Sequence, residues 1–210
     1  MTRVLIADDH SIVREGIKSL LASVPDIVIA AEARNGDEVF EKIQKETVDM
    51  VILDITMPGQ SGLEVLKQLK ADNPNLPVLI LSMHPEEQYG MRVLKAGADG
   101  YLTKEAVPEE LLLAIRKLAE GKKYISSTLA ERLARNLSRN GTPLAHQSLS
   151  DREYEVLRGI GKGKTVSEIA SELYLSVSTV STYRSRILEK LNLRTNADLT
   201  YYAVKQGLVD

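Results

Sequence analysis

The stretch VDMVILDITMPG, residues 48–59, places an acid at the end of an apolar run. The apolar residues lead directly into Asp54, and a Pro-Gly turn follows. An apolar run of this length that ends in a turn is typical of a strand buried on both faces of a parallel sheet. The stretch RVLIADDH, residues 3–10, repeats the pattern and leads into Asp8 and Asp9. Two buried strands that both carry carboxylates to their tips require one common explanation.

Strand-like and helix-like patterns alternate through the first 120 residues. Apolar runs occupy residues 4–7, 27–31, 48–53, 78–82 and 100–103. Helical spacing of apolar residues covers residues 11–22, 36–46, 61–71, 86–96 and 108–119. These units predict a doubly wound α/β domain, in which a five-stranded parallel sheet has helices on both faces. The common strand order for five units is 2-1-3-4-5, and ligands bind at the carboxyl ends of the strands near the switch point.

The composition excludes several classes of protein. The chain has 210 residues, enough for one large or two small domains with a real core. It contains no cysteine, which excludes disulfides, thiolate zinc sites and cysteine nucleophiles. The first apolar run is too short for a signal peptide, and no run is long enough to cross a bilayer. We therefore expect a cytoplasmic protein with no membrane partner.

The two halves of the chain differ in charge. Residues 1–120 contain 13 Lys and Arg against 20 Asp and Glu, whereas residues 121–210 contain 14 against 9. This asymmetry predicts two domains with different partners. A modest basic excess is often only a solvated surface, but it also suits a domain that binds nucleic acid.

The pattern changes after residue 120 and indicates a domain boundary. We place the first domain at residues 1–121, a linker with one helix at 122–147, and an all-α domain of four helices at 148–210. The linker helix is expected at residues 126–139. The sequence Asn-Gly-Thr-Pro then indicates a flexible hinge at residues 140–147.

The predicted topology brings five polar side chains to one edge of the sheet. Strands 1 and 3 are neighbours, so Asp8, Asp9 and Asp54 meet there. Strand 4 ends in Ser82, and strand 5 leads into Lys104. Each residue taken alone is more often a helix cap, a turn residue or a surface lysine. Their joint placement at the carboxyl ends of strands instead indicates a binding site.

The carboxylates of this set determine what it can bind. Three clustered carboxylates repel one another unless a proton or a cation joins them. Oxygen ligands favour Mg²⁺ or a similar ion, which in turn favours phosphate. A carboxylate beside such a cation, the Lys104 ammonium and a hydroxyl can accept a phosphoryl group. We therefore assign Asp54 as the nucleophile and an acyl phosphate as the product.

Four motifs, LIADDH, VILDITMPG, LILS and GADGYLTK, together resemble the receiver domain of two-component response regulators. The resemblance covers essentially all of residues 1–120 and implies a histidine kinase as the upstream partner and a regulator rather than an enzyme. The resemblance implies that Asp54 is the phosphorylated residue. It implies that Asp8, Asp9 and Asp54, with the Thr56 carbonyl, form the Mg²⁺ site. It also implies that Ser82 and Lys104 contact the phosphoryl group and that Tyr101 is the switch aromatic residue.

Two alternative functions are considered for the first domain. A haloacid-dehalogenase-like phosphatase also uses an aspartyl nucleophile after a strand, but it normally has a second acid two residues later, where this chain has Thr56. The second alternative keeps the receiver fold but makes this domain a dimer or docking unit that does not depend on phosphorylation. The complete Asp, Ser and Lys set argues against it, since degenerate receivers usually lose part of that set.

The stretch KGKTVSEIASELYLSVSTVSTYRSRILEKLNL, residues 162–193, predicts two helices joined by a tight turn. A capping box of Thr165 and Glu168 begins the first helix, and Ser176 caps the second. Apolar positions are expected to pack the pair together: Ile169, Ala170, Leu173, Val177, Val180, Ile187 and Leu191. The opposite face of the second helix carries Ser178, Ser181, Thr182, Ser185, Arg186 and Glu189. Small hydroxyls and one arginine let a helix enter a major groove closely.

This segment and its flanks, LSDREYEVLRGIGKGKT and RTNADLTYYAVKQGLV, resemble the LuxR-type helix-turn-helix of the NarL/FixJ subfamily over residues 148–209. The motif TVSTYRSRILEKL is most similar to regulators of the GacA/UvrY type, since Tyr183 stands where most relatives have histidine. The resemblance implies double-stranded DNA and a second copy of the chain as partners. It implies base contacts by Ser181, Thr182 and Ser185, phosphate contacts by Lys164, Thr165, Arg194 and Thr195 near helix N-termini, and a dimer surface of Leu199, Tyr202 and Ala203.

Alternatives for the second domain are a helical hairpin with no ligand and a domain that binds RNA. The RNA alternative is weaker, because the candidate recognition face lacks aromatic residues on which bases could stack. Ser181 departs from the family pattern, since many relatives have lysine there. We therefore expect lower ionic affinity for DNA than in those relatives.

Overall fold

The computed structural model describes residues 1–106, 108–138 and 144–209, except for the side chains of residues 132 and 135–138. The chain forms two compact units, Met1–Ser138 and Arg139–Asp210. The split falls within the predicted linker, and the linker helix belongs to the first unit. Within the described residues, no helix combines the length and the apolar character needed to span a bilayer.

The first unit contains the predicted parallel sheet. Its strand order, β2-β1-β3-β4-β5, is the predicted one. The strands are β1 Thr2–Ala7, β2 Ile27–Ala33, β3 Met50–Leu53, β4 Val78–Ser82 and β5 Gly100–Thr103. Strand β2 extends two residues beyond its apolar run because Glu32 and Ala33 continue to pair with β1. The doubly wound fold class is therefore confirmed.

Helices cover the sheet of this unit. They are α1 Ser11–Leu21, α2 Gly36–Lys45, α3 Gly62–Asp72, α4 Glu86–Lys95, α5 Pro108–Ala119 and α6 Ser127–Ser138. Strands β3 and β4 are buried, and so is β1 from Val4 onward, as expected for strands between two layers of helices. A main hydrophobic cluster joins these strands to α1 and α5 through residues such as Ile6, Ile52 and Leu79.

The start of α3 lies very close to the backbone at the tip of β3. Ser61 caps this helix in a capping box with Glu64. The Gly62 amide donates a hydrogen bond to the Ile55 carbonyl at 2.8 Å. A Cβ atom on Gly62 would lie 1.9 Å from the carbonyl oxygen of Asp54. Only glycine fits here, and the contact fixes the peptide that carries Asp54.

The segment after α5 is tied to the first unit. Tyr124 forms a parallel bridge with Gly100 in β5, and its amide donates to the Asp99 carbonyl at 2.8 Å. Helix α6 then packs on α4. Leu129 in α6 is buried, and its methyl groups would lie 2.9 and 3.0 Å from a Cβ atom on Gly90. Glycine in α4 therefore permits the close approach of α6.

The second unit is helical over its described residues, as predicted. A short 3₁₀ helix at Ala145–Ser148 precedes α7 Asp151–Gly161, α8 Val166–Glu172, α9 Val177–Leu191 and α10 Asn196–Lys205. Helix α7 packs against α9 and α10. The predicted hinge at residues 140–147 lies outside the described residues at 140–143, and its remaining part leads into the 3₁₀ helix. Within that helix, His146 Nδ1 lies 3.1 Å from the Tyr202 hydroxyl.

Candidate functional site

The register of β1 and β3 brings the predicted acids together. Ala7 pairs with Leu53, so the residues that follow them, Asp8 and Asp54, lie side by side at the strand tips. Both are almost completely buried. Lys104 Nζ lies 2.7 Å from Asp8 Oδ2 and 2.7 Å from Asp54 Oδ2. The structure thus places the predicted nucleophile, one predicted metal ligand and the predicted lysine in direct contact.

The ionisation of this cluster reflects crowded charge. Burial raises the pKa of the Asp54 carboxyl to about 6, Lys104 opposes this shift, and the negative charge of Asp8 adds to it. Burial alone would lower the Lys104 pKa, but the charges and hydrogen bonds of Asp54 and Asp8 have a larger effect, so the Lys104 pKa is raised. One ammonium therefore does not fully offset the carboxylates, and an additional cation would stabilise their charged forms.

The cluster also contains a histidine that the sequence interpretation left out. His10 Nδ1 lies 2.7 Å from Asp9 Oδ1 and 3.3 Å from Asp8 Oδ1. Asp8, Asp9, His10 and Asp54 each offer a ligand atom, and these atoms lie within 4.8 Å of one another. The three carboxylates are the hard oxygen donors that Mg²⁺ prefers, so the residues fit this ion. His10 directly follows the Asp-Asp pair in the sequence, and this position could have indicated that it belongs to the cluster.

A loop residue, His84, joins the other predicted members of the site. Its amide donates to Ser82 Oγ at 3.2 Å, and its Nε2 atom lies 3.3 Å from Thr56 Oγ1. The Tyr101 hydroxyl donates to the His84 carbonyl at 2.6 Å. The His84 ring stacks on Tyr89 in α4, with ring centroids 4.7 Å apart. Nothing in the sequence pattern of this loop indicated these contacts.

Tyr101 lies in the interior of the first unit. The resemblance to receiver domains implied that it is the switch aromatic residue. In this structure the side chain is 2% exposed, and its hydroxyl reaches the loop that follows Ser82. The predicted switch residue is thus joined by a hydrogen bond to the segment between β4 and α4.

The second unit presents the predicted polar face of α9. Ser178, Ser181, Thr182, Ser185 and Arg186 are all exposed, whereas Val180, Ile187 and Leu191 are buried. The hydroxyls of Thr182 and Ser185 donate to the carbonyls of Ser178 and Ser181 within the helix. In this arrangement they present oxygen lone pairs outward. Val177 differs from the expected core role, because it is the first residue of α9 and is 50% exposed.

The predicted phosphate contacts lie at helix starts that already have partners. The hydroxyl of Thr165 accepts from the Glu168 amide, and the hydroxyl of Thr195 accepts from the Asp198 amide. Lys164 Nζ lies 2.5 Å from Glu172 Oε1. Arg194 is exposed, and its amide donates to Asp198 at 3.1 Å. A phosphate at either helix start would have to compete with a neighbouring carboxylate.

The predicted dimer surface on α10 needs correction. Leu199 and Ala203 are fully buried, because this face of α10 packs against α7. Tyr202 is partly buried, and its hydroxyl accepts a hydrogen bond from the His146 amide at 3.2 Å. The exposed side of α10 instead carries Tyr201 and Val204. A contact with a second copy through this helix would therefore involve its exposed side, on which Tyr201 and Val204 are the large apolar residues.

Comparison with known families agrees with the two units. Residues 4–116 match the response regulator receiver domain, and residues 147–203 match the bacterial regulatory proteins of the luxR family. The chain belongs to the response regulators, with a receiver domain followed by a LuxR-type domain that regulates transcription.

Relatives match this arrangement along their whole length. Response regulator UvrY of Escherichia coli (strain K12) is 36% identical over 209 residues, which are 99% of this chain and 96% of that protein. Response regulator GacA of Pseudomonas aeruginosa is 36% identical over 214 residues, covering 100% of this chain and 99% of that protein. These matches confirm the resemblance to the GacA/UvrY type.

A solved structure shows the same fold. RcsB from Salmonella enterica serovar Typhimurium, bound to promoter P1flhDC in the presence of phosphomimetic BeF3-, aligns with a TM-score of 0.64 at 28% identity. The alignment covers 96% of this chain and 97% of that chain.

Proposed function

We propose that a sensor histidine kinase transfers a phosphoryl group to Asp54, and that this transfer controls sequence-specific binding of DNA by the second unit. The observation that carries the proposal is the buried Asp54 carboxylate at the tip of the central strand, where Lys104 bridges it to Asp8. A kinase and chromosomal DNA would both be reached in the bacterial cytoplasm. The transfer consumes the chain's own carboxylate once, so it is regulation rather than enzymatic turnover.

Each side chain of the site has a different role in the proposed phosphoryl transfer. An Asp54 carboxylate oxygen attacks phosphorus, the bond between phosphorus and the kinase histidine breaks, and that histidine nitrogen keeps the electron pair. Lys104 would shift from bridging two carboxylates to offsetting charge on the phosphoryl oxygens. Ser82 Oγ accepts a hydrogen bond from the His84 amide, so the hydrogen of its hydroxyl can be donated to a phosphoryl oxygen. Positioning and charge supply most of the rate enhancement in such transfers.

A divalent cation completes the proposed site. Asp8, Asp9 and Asp54, with the Thr56 carbonyl, would hold Mg²⁺, which would neutralise part of the charge on the transferring group. The ion pairs that Lys104 makes with two of these carboxylates, Asp8 and Asp54, support a site that favours positive charge.

The contacts around His84 offer a path from Asp54 to the linker. Ser82 and Tyr101 both bond to the backbone of His84, and the ring of His84 stacks on Tyr89 in α4. Helix α6 packs on α4, and it precedes the second unit in the sequence. A phosphoryl group that draws Ser82 toward Asp54 would therefore disturb α4 and its contact with α6. This is a two-state coupling in which phosphorylation biases one arrangement.

The exposed face of α9 is the proposed DNA interface. We propose that Ser181, Thr182 and Ser185 reach base edges while Ser178 and Arg186 flank them, because a recognition helix reads bases through its open face. The related RcsB is bound to promoter DNA in two solved structures. Lys164, Thr165, Arg194 and Thr195 remain proposed phosphate contacts, and pairing of two copies would use Tyr201 and Val204.

The assignment of Asp54 is tested by phosphorylating the purified full-length protein. With Mg²⁺ and a small phosphodonor, intact-mass analysis should show one added phosphate that is labile in acid and base. Asp54→Asn should add none, whereas the same substitution at the exposed Asp72 should leave labelling unchanged. Removal of Mg²⁺ should abolish labelling, because the clustered carboxylates would then repel the donor. A phosphate adduct that persists in Asp54→Asn would contradict the assignment.

The control of DNA binding is tested by three affinities for one promoter at one salt concentration. Phosphorylated full-length protein should bind about 5- to 150-fold more tightly than the unphosphorylated form, the range typical of such coupling. Paired receivers would add a second half-site and so raise avidity. The fragment 148–210 should bind at least as well as the unphosphorylated chain. Equal affinity with and without phosphate, despite labelling of Asp54, would favour the alternative in which the receiver is a docking unit independent of phosphorylation.

A further inference from the structure

Helix α1 buries an arginine beside the acidic cluster. Arg14 lies in the first turn of this helix and is 6% exposed. Its Nε atom donates to Glu32 Oε2 at 3.0 Å, and its Nη1 atom donates to the main-chain carbonyl of Asp8 at 2.7 Å. A buried guanidinium is costly unless its donors are satisfied, so these two contacts determine its place.

The ion pair with Glu32 does not by itself explain Arg14. Glu32 has a second cation, since Lys18 Nζ lies 2.8 Å from its Oε1 atom. The hydrogen bond from Lys18 is the largest cause that lowers the Glu32 pKa, and the bond from Arg14 contributes less. What Arg14 adds, and Lys18 does not, is the bond to the backbone of Asp8.

That bond fixes the peptide that joins Asp8 to Asp9. The Asp8 amide donates to the Ala33 carbonyl at 3.1 Å, while Arg14 binds the Asp8 carbonyl from the opposite side of the residue. The Asp8 carboxylate is held by the His10 amide at 2.9 Å and by Lys104 at 2.7 Å. Rotation of this one peptide would redirect the carboxylates of Asp8 and Asp9 together.

We propose that Arg14 is a positioning residue for the divalent cation: it holds the Asp8–Asp9 peptide so that both carboxylates face Asp54. This inference rests on the proposed function, because it requires that the cluster binds a cation. Two effects of Arg14 on that cation have opposite signs. Its positive charge repels the ion, so simple electrostatics predicts tighter binding when the charge is removed. Its hydrogen bond to Asp8 orders the ligands, so positioning predicts weaker binding when the bond is lost.

The test measures Mn²⁺ binding to the full-length protein, with Mn²⁺ as a paramagnetic probe for the site and Mg²⁺ as its competitor. The electron paramagnetic resonance signal of free Mn²⁺ is followed during a titration, and it gives both the dissociation constant and the number of binding sites. Arg14→Met should raise the dissociation constant about tenfold, the effect of losing one hydrogen bond from a charged donor. Lys18→Met is the matched control, because it removes the other cation from Glu32 without touching Asp8. Its dissociation constant should stay within about twofold of wild type.

A second readout separates positioning from damage to the fold. In Arg14→Met, the Mg²⁺ concentration that gives half-maximal labelling of Asp54 should rise about tenfold, while the rate at saturating Mg²⁺ stays near that of wild type. A variant that only unfolds in part would bind fewer Mn²⁺ ions at an unchanged dissociation constant, and that result would overturn the proposal. An unchanged or lower dissociation constant in a fully folded Arg14→Met would overturn it as well.

If Arg14→Met does not fold, Arg14→Lys takes its place. Lysine keeps the charge, so the electrostatic effect is held constant, but one ammonium cannot span Glu32 and Asp8 as the forked guanidinium does. A raised dissociation constant is again expected, and an unchanged one would overturn the proposal. If wild type binds no Mn²⁺, the cation site of the proposed function fails and the role of Arg14 falls with it. Binding by wild type and Arg14→Met alike would reject only the role of Arg14.

Discussion

Gly62→Ala is expected to destabilise the receiver domain by about 3 kcal/mol, near the upper end for an added methyl group in a packed interior. The new Cβ would lie 1.9 Å from the Asp54 carbonyl oxygen and 2.7 Å from the Ile55 Cα atom. Both are backbone atoms, so no side chain can move aside to relieve the clash. The melting temperature should fall by on the order of 10 °C, measured by thermal unfolding of the full-length protein. Labelling of Asp54 should fall too, because its peptide must shift.

The same substitution at Gly16 is the matched control. Gly16 is exposed within α1, and nothing lies within 4 Å of its added Cβ. Alanine there should stabilise the domain by about 0.5–1 kcal/mol, since glycine is a poor helix former. Opposite signs for the two substitutions are the expected result. A melting temperature for Gly62→Ala equal to that of wild type would show that the tip of β3 is less tightly held than its geometry indicates.

Val180→Asp should unfold the second domain while the receiver stays folded. Val180 is fully buried in α9, and a carboxylate there would be charged in an apolar interior. The cost should be about 4 kcal/mol or more, which is a large part of the stability of a small domain. Hydrogen exchange followed by mass spectrometry reports the two domains separately. Amides of residues 151–205 should lose protection, whereas those of β1 and β3 should keep it.

Val177→Asp is the matched control for this prediction. Val177 is half exposed at the first position of α9, where an acid interacts favourably with the helix dipole. Protection of the second domain should therefore remain close to wild type, but DNA affinity should fall because the acid faces the phosphates. Ser185→Ala should also keep stability and weaken binding several-fold, as expected for one hydroxyl contact. Normal DNA binding by Val180→Asp would mean that the buried and open faces of α9 were assigned the wrong way round.

The fold could be predicted because its strands lie between two layers of helices. Such strands are continuously apolar, and their ends are marked by acids, a hydroxyl or a turn, as at Asp54 and Ser82. Once the strand order follows from the five repeated units, the meeting of Asp8, Asp54 and Lys104 follows from topology alone.

Other features could not be read from periodicity, for physical reasons. Arginine in a helix normally lies on the solvent side, so the burial of Arg14 becomes visible only with its partner on β2. His84 sits in a loop whose contacts come from elements far apart in the sequence. The apolar periodicity of α10 indicates that Leu199 and Ala203 are buried. It does not indicate whether they pack against α7 or against a second copy of the chain. Val177 has apolar character but stands at a helix start, outside the packed turns.

The pairing of Tyr124 with β5 and the packing of α6 on α4 determine where this chain can be divided. A receiver fragment ending at residue 121 would lose its bridge to Gly100 and would leave the α4 surface around Gly90 without Leu129. A chimera that keeps this receiver and exchanges the output domain should therefore be joined after residue 138. Recombination between relatives would conserve signalling best at that junction, because α6 would then stay in the same chain as the α4 helix on which it packs.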